Sequence, residues 1–203
     1  MPVFQKDNVS ILFVHVPKAG GTTIEHFFRQ QNWQVSFFDG GEVKPSINPL
    51  TWCSPQHFHA EILHKIFNVK RFTYCFAIVR EPISRIKSEV RWRMQYFNAQ
   101  IEPDHWIDQA LKAFPRNPFI HDNHIRPQSE FLFDGLEVHY LEDGLDRVID
   151  HLVEKFGDHL RRPPPLAPMM ASGGNIAVNL SAERLYQLAE FYAADYRDLR
   201  YPQ

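Results

Sequence analysis

Two periods of hydrophobic spacing organise the chain. Ile11-Leu12-Phe13-Val14 is a continuous apolar run, the pattern of a strand buried on both faces. Directly after it, Ile24, Phe27 and Phe28 recur at helical spacing and predict a helix over Thr22 to Gln31. Trp33 to Phe38 alternates weakly and predicts a second strand. Phe58, Ile62, Leu63, Ile66 and Phe67 fall on one helical face, with Ser54 as the expected cap and Pro55 at the first position. Arg71 to Val79 is an apolar strand. Arg80-Glu81-Pro82 ends it and opens a helix with Ile83, Ile86, Val90, Met94 and Phe97 as its inward stripe and Ser84, Ser88, Arg91 and Gln95 as a polar face. Helices over Pro103 to Phe114 and Asp143 to Phe156 and a strand over Leu136 to Leu141 follow. The last helix is capped by Ser181 and turns Leu185, Leu188, Ala189, Tyr192 and Tyr196 inward.

Strands and helices alternate, which argues for an α/β fold of P-loop-like, three-layer form, a central parallel sheet flanked by helices. The length of 203 residues suits a single domain over 1–203. Lys44 to Pro55, Pro115 to Pro127 and Arg161 to Asn175 carry no period and are the expected binding loops. A net charge of −2 argues against a general affinity for nucleic acid. No apolar run approaches the roughly 20 residues of a transmembrane helix. Met1 to Ser10 lacks the basic and apolar halves of a signal peptide, so the expected location is cytoplasmic. Cys53 and Cys75 do not make a disulfide framework, and Cys75 is expected as a buried free thiol. Oligomeric state is open.

The candidate chemistry starts at the first strand's end. Lys18, Ala19, Gly20, Gly21, Thr22 and Thr23 join strand to helix. Glycines let a backbone approach a ligand closely, and a helix start offers unpaired N–H groups and a positive dipole end. With the lysine charge and threonine hydroxyls, this is a cradle for a phosphate or sulfate; the bland alternative is a glycine turn between a core strand and a helix. A Walker A loop is excluded, because here the lysine precedes the glycines.

His15-Val16-Pro17-Lys18-Ala19-Gly20-Gly21-Thr22-Thr23 resembles the phosphosulfate loop of sulfotransferases that use 3′-phosphoadenosine 5′-phosphosulfate (PAPS), in the carbohydrate-type branch. Arg80-Glu81-Pro82, followed by Arg85 and Ser88, resembles the same family's motif for the cofactor 3′-phosphate, with Glu81 where aspartate is common. By that resemblance Lys18 to Thr23, Arg80 and Ser88 hold PAPS, and adenosine 3′,5′-bisphosphate leaves. His57-Phe58-His59 is similar to the His-Gly-His of uronosyl 2-O-sulfotransferases, which makes His59 the expected catalytic base, His57 its support, and Glu61 and Glu25 the reserves. On a helix only one of the two histidines could reach the sulfur; on an extended segment both could. Arg91, His124 and Arg126, with His57, are the expected acceptor-side residues, and HIRPQSEFL resembles a segment of bacterial relatives. The terminal Tyr192-x-x-Asp195-Tyr196 run is similar to an ending of such enzymes, and the Met169 to Asn175 loop is expected over the adenosine end by analogy of position.

The resemblance implies direct in-line transfer to a hydroxyl of a sugar or small molecule, through a loose transition state that is stabilised by position and charge. No metal is expected: His121-Asp122-Asn123-His124 beside His57 and His59 invites a zinc reading but lacks zinc-ligand spacing. The rivals are a P-loop-like kinase using ATP with Mg²⁺, and a non-catalytic nucleotide-binding protein of the same fold.

Overall fold

The computed structural model describes residues 1–39, 46–98, 100–162 and 176–202. Among them five strands form one sheet: β1 (Val3–Lys6), β2 (Val9–Val14), β3 (Gln34–Ser36), β4 (Tyr74–Val79) and β5 (Glu137–Tyr140), in the order β3-β1-β2-β4-β5. The helices are α1 (Gly21–Gln30), α2 (Ala60–Ile66), α3 (Pro82–Tyr96), α4 (Pro103–Ala113), α5 (Leu145–Lys155), α6 (Ala182–Phe191) and α7 (Ala193–Asp198). β2, β4 and β5 run parallel, as the alternation predicts. β1 runs antiparallel to both β2 and β3, so the sheet is mixed on that side.

β1 is the element the apolar pattern does not reveal. It has four residues, too few to show a period, of which Val3 and Phe4 are buried. Lys6 pairs with Val9 across Asp7-Asn8, and Asp7 takes a φ of 51°. That two-residue Asp-Asn hairpin is the local signal for the strand. The predicted helix from Ser54 is also revised. Pro55–His57 is a 3-10 turn, Phe58 is extended, and α2 starts only at Ala60. The Ser54 hydroxyl caps no helix, because it is bound to other side chains described below. The last helix breaks at Tyr192 into α6 and α7. Phe97, placed in the inward stripe of α3, lies past its end and is exposed. The Met169 to Asn175 loop lies outside the described residues.

Two apolar clusters hold these elements. The first is the sheet with α1, α2 and α5, where Phe4 stacks on Phe28 at 4.0 Å and Phe13 on Phe76 at 4.8 Å. The second is helical: Ile86 and Val90 of α3, Ile107 and Ala110 of α4, Leu188 of α6 and Tyr196 of α7. α3 leaves the sheet at the end of β4 and enters the second cluster, so one face of this helix lies where the two meet.

Candidate active site

Register places the site. Val14 pairs with Ala77, so β2 and β4 finish at the same edge of the sheet. The segments that follow them, Pro17 to Thr23 and Arg80-Glu81, therefore emerge side by side, the usual ligand position of an open α/β sheet. Lys18 and Gly20 take φ values of 67° and 86°, which reverse the chain into α1. Gly20 caps α1 without a side chain. Thr23 N–H donates to the Gly20 carbonyl at 3.2 Å, while the N–H groups of Gly20, Gly21 and Thr22 have no backbone acceptor among the described residues. Gly21 is required for a different reason: a Cβ there would run into Nε2 of His15. Ala19 and Thr23 are buried; Thr22 is exposed at the helix start.

Cations gather above this loop. The Arg80 guanidinium donates to the Lys18 carbonyl at 3.3 Å. The Lys18 ammonium lies 4.8 Å from the centre of the Trp92 ring. Burial holds Lys18 below the ordinary amine pKa, with Glu89 partly opposing. Burial also lowers Arg80; Glu142 opposes this and Arg91 adds to it. Among the described residues none of Lys18, Arg80 and Arg91 is paired with a carboxylate. Arg91 Nε donates to the Ile176 carbonyl at 3.0 Å, and Ser88 is buried on α3. Converging cations without acidic partners among the described residues are a donor set suited to a multiply charged anion.

Arg80 is held from behind. Its N–H and carbonyl both bind the Gln128 amide, at 2.9 and 2.7 Å. The Asp195 carboxylate accepts the backbone N–H groups of Gln128 and Ser129 at 2.9 and 2.8 Å. Glu81 accepts the N–H groups of Ile83 and Ser84, which caps α3, and also the Tyr196 hydroxyl at 2.9 Å. Burial raises the Glu81 pKa, but these hydrogen bonds outweigh it and hold the carboxyl below its usual value. The terminal Tyr-x-x-Asp-Tyr run thus locks the C-terminal helices onto the strand end that carries Arg80. Tyr192 donates to the Ile125 carbonyl at 2.9 Å.

The histidines nearest this loop divide into a row and one that stands apart. His15, His57 and His124 form a row, with ring centres 5.0 Å and 4.8 Å apart and edges meeting faces. Each is held through Nδ1 by a carboxylate: His15 by Glu25 at 2.5 Å, His57 by Asp122 at 2.8 Å and His124 by Glu89 at 2.7 Å. A carboxylate on Nδ1 fixes the proton there and leaves Nε2 as the basic nitrogen. Asp122 reaches His57 because His121, Asp122 and Asn123 all take left-handed φ values of 56°, 58° and 63°. Such strain in non-glycine residues is kept only where other contacts enforce it. Here Asp122 also accepts the Ser54 N–H at 2.5 Å and hydroxyl at 2.6 Å, and Asn123 donates to the His57 carbonyl at 2.9 Å. Burial pushes His57 down to about 3, with Asp122 opposing and His124 and His15 adding, so its imidazole is neutral at pH 7. Glu89 also accepts from Arg93 Nε at 2.6 Å; burial would raise it, but His124 and Arg93 bring it to about 2.

His59 stands apart. Its ring faces Phe119 at 5.8 Å and Phe131 at 6.4 Å, and its Nε2 is 3.9 Å from Glu61. Among the described residues its Nδ1 is buried without a partner, and burial, with Arg126 adding, lowers its pKa to about 4. The extended Phe58 between the two histidines sends them to different neighbours. Arg126 is also occupied. It is buried and donates to Asn123, Glu130 and the Pro118 carbonyl, which braces the 118–130 segment. Arg85 is fully buried and donates to the carbonyls of His124 and Arg126 at 2.9 and 2.8 Å. The sequence reading missed His15, Glu89 and Trp92 as members of the site, and it read Asp122 only as a metal-ligand candidate. His57, Asp122 and His124 also offer ligand atoms within 4.8 Å of one another.

Parallel strands that end in a glycine-bent loop on one side and an arginine on the other define an open α/β protein whose strand ends carry a helix start and cations, where ligands of such sheets bind. A model of the sulfotransferase family matches residues 1–141, and the chain belongs to that family. The matched stretch contains all five strands, the loop, Arg80 and the three-histidine row. Neither the curated proteins nor the solved structures yield a match. Among the described residues no helix is long and apolar enough to cross a membrane.

Proposed function

We propose that the protein transfers a sulfuryl group from PAPS to the hydroxyl of a sugar or small molecule, with His57 as the general base. The observation that carries the reading is the meeting of Lys18 and Arg80 at the ends of neighbouring parallel strands, unpaired by acid among the described residues and beside a helix start. When bound there, the nucleotide would supply an activated sulfuryl group. Lys18 and the N–H groups of Gly20 to Thr23 would grip its phosphosulfate, and Arg80, Ser88 and Arg91 its other phosphate.

His57 is placed for proton removal: Nδ1 is committed to Asp122, which leaves Nε2 as the basic nitrogen, as in a base oriented by a carboxylate. It would accept the acceptor's hydroxyl proton on Nε2 as the oxygen bonds to sulfur, and Asp122 would stabilise the imidazolium. Lys18 would take up the charge left on the departing bridging oxygen. His59, whose ring faces Phe119 and Phe131, has no carboxylate on Nδ1 to orient it among the described residues. His124 and Trp92 would line the acceptor side.

Melting curves with adenosine 3′,5′-bisphosphate and with ATP–Mg²⁺ test the cofactor. A ligand at 100 times its dissociation constant stabilises by about 2.7 kcal/mol. The expected result is a clear rise with the bisphosphate that Arg80→Ala removes. A rise with ATP–Mg²⁺ alone would overturn the reading in favour of a kinase. A bisphosphate effect with no transfer to any hydroxyl in a labelled-sulfate screen would favour the non-catalytic alternative.

A further inference from the structure

On β5, the edge strand of the sheet, a second set of side chains converges that sulfuryl transfer does not use. Glu137 pairs with Phe76 and His139 with Ile78 across the parallel ladder, so with Tyr74 they share one face of the sheet. The Phe76 ring lies beside them, 6.0 Å from that of His139 and 5.5 Å from that of Tyr74. α5 brings His151 to the same place. Glu137 Oε1 is 2.9 Å from His151 Nε2 and 3.7 Å from His139 Nε2. The Tyr74 hydroxyl is 3.2 Å from His139 Nε2 and 3.4 Å from His151 Nε2. The carboxylate oxygen and both imidazole nitrogens lie within 4.8 Å of one another.

Ligands about 2.0–2.1 Å from a tetrahedral ion stand about 3.3–3.4 Å from one another. The four separations, from 2.9 to 3.7 Å, surround that value. Two imidazoles and one carboxylate form a borderline donor set that suits zinc; magnesium and calcium favour oxygen-only shells. Lys155 Nζ faces the other carboxylate oxygen, Oε2, at 3.8 Å. Its charge opposes a cation, yet it also holds Glu137 so that only Oε1 is presented.

We propose that Glu137, His139 and His151 form a zinc site that staples β5 to α5, with the Tyr74 hydroxyl of β4 beside it. The ion lies among side chains drawn from residues 74, 137, 139 and 151, a spacing no zinc motif would reveal. The site is independent of the transfer reaction, and its test does not read activity.

The test is a zinc titration of the chelator-stripped full chain against a chromophoric zinc indicator, with melting temperature followed in parallel. The expected result is one equivalent bound and a raised melting temperature. His151→Gln, at a half-exposed position that tolerates the change, should keep its circular dichroism spectrum and weaken that equivalent by more than about 100-fold; His139→Gln should do the same. His124→Gln should leave it in place. No zinc uptake at micromolar indicator would overturn the proposal and leave a hydrogen-bond network only. Uptake lost in His124→Gln but kept in His151→Gln would overturn it as well, by assigning the ion to His57, Asp122 and His124.

Discussion

The loop after β2 and the histidine row beside it are assembled in opposite ways. Lys18 to Thr23 are contiguous, and their geometry follows from local rules: two left-handed residues, a helix start, and a glycine where His15 leaves no room. His15, His57 and His124 come from three separate segments, and each depends on a carboxylate from elsewhere. The loop's bend is set within its own residues, with Arg80 and the side chains of Leu141 and Leu145 packed beside it. The row needs the 54–57 turn, the 121–124 turn and α3 to dock together. An anion cradle can therefore be carried by a short motif, whereas a positioned base is a property of the packed chain.

The largest expected effect separates the two. His57→Ala should lower kcat about 10²–10⁴-fold, the usual range for loss of a general base, while bisphosphate affinity changes little. Equal loss of kcat from His59→Gln with His57 variants active would reverse the assignment. Gly21→Ala attacks the loop instead. Its Cβ must displace a buried imidazole held by Glu25, so a loss of about 1–3 kcal/mol of stability is expected from overpacking, read by denaturant melts. Unchanged stability would mean that His15 yields freely.

Asp122→Asn tests how the row is held. Losing the carboxylate that orients His57 should lower kcat, with KM nearly constant. Asp122 raises the His57 pKa, so its removal should also move the acidic limb of the pH–rate profile to lower pH. A purely structural role for Asp122 would leave that limb in place.

The same contrast explains what was legible in the sequence. β2, α1, β4 and α3 are long apolar or periodic runs, and both cation-bearing turns follow directly from them. β1 escaped because four residues show no period, and the break at Phe58 escaped because the apolar spacing of 58–67 continues through it. That break decides which histidine joins the row. The partners Asp122 and Glu89 lie 65 and 35 residues from the histidines they hold, and three left-handed residues at 121–123 bring the first into place. No local propensity encodes such a contact.

The smallest expected effect concerns stability and uses both histidine groups. Burial lowers His57 to about 3 and His59 and His121 to about 4. An unfolded histidine titrates near about 6.5, so between that value and about pH 4 the unfolded chain binds more protons than the folded one. Acid therefore favours unfolding across this window, by up to about 1.4 kcal/mol per pH unit for each such histidine. Glu89, at about 2, and Asp122, also lowered, lose stabilising charge in acid too, but only below the ordinary carboxylate range of about 4. The decline from pH 6.5 to 4.5 is thus a histidine property. His57→Phe and His59→Phe should each flatten it by about one proton's worth in denaturant melts across that range, while only the first abolishes transfer. An unchanged slope in His59→Phe would mean that this ring takes up a proton in the folded chain as it does in the unfolded one.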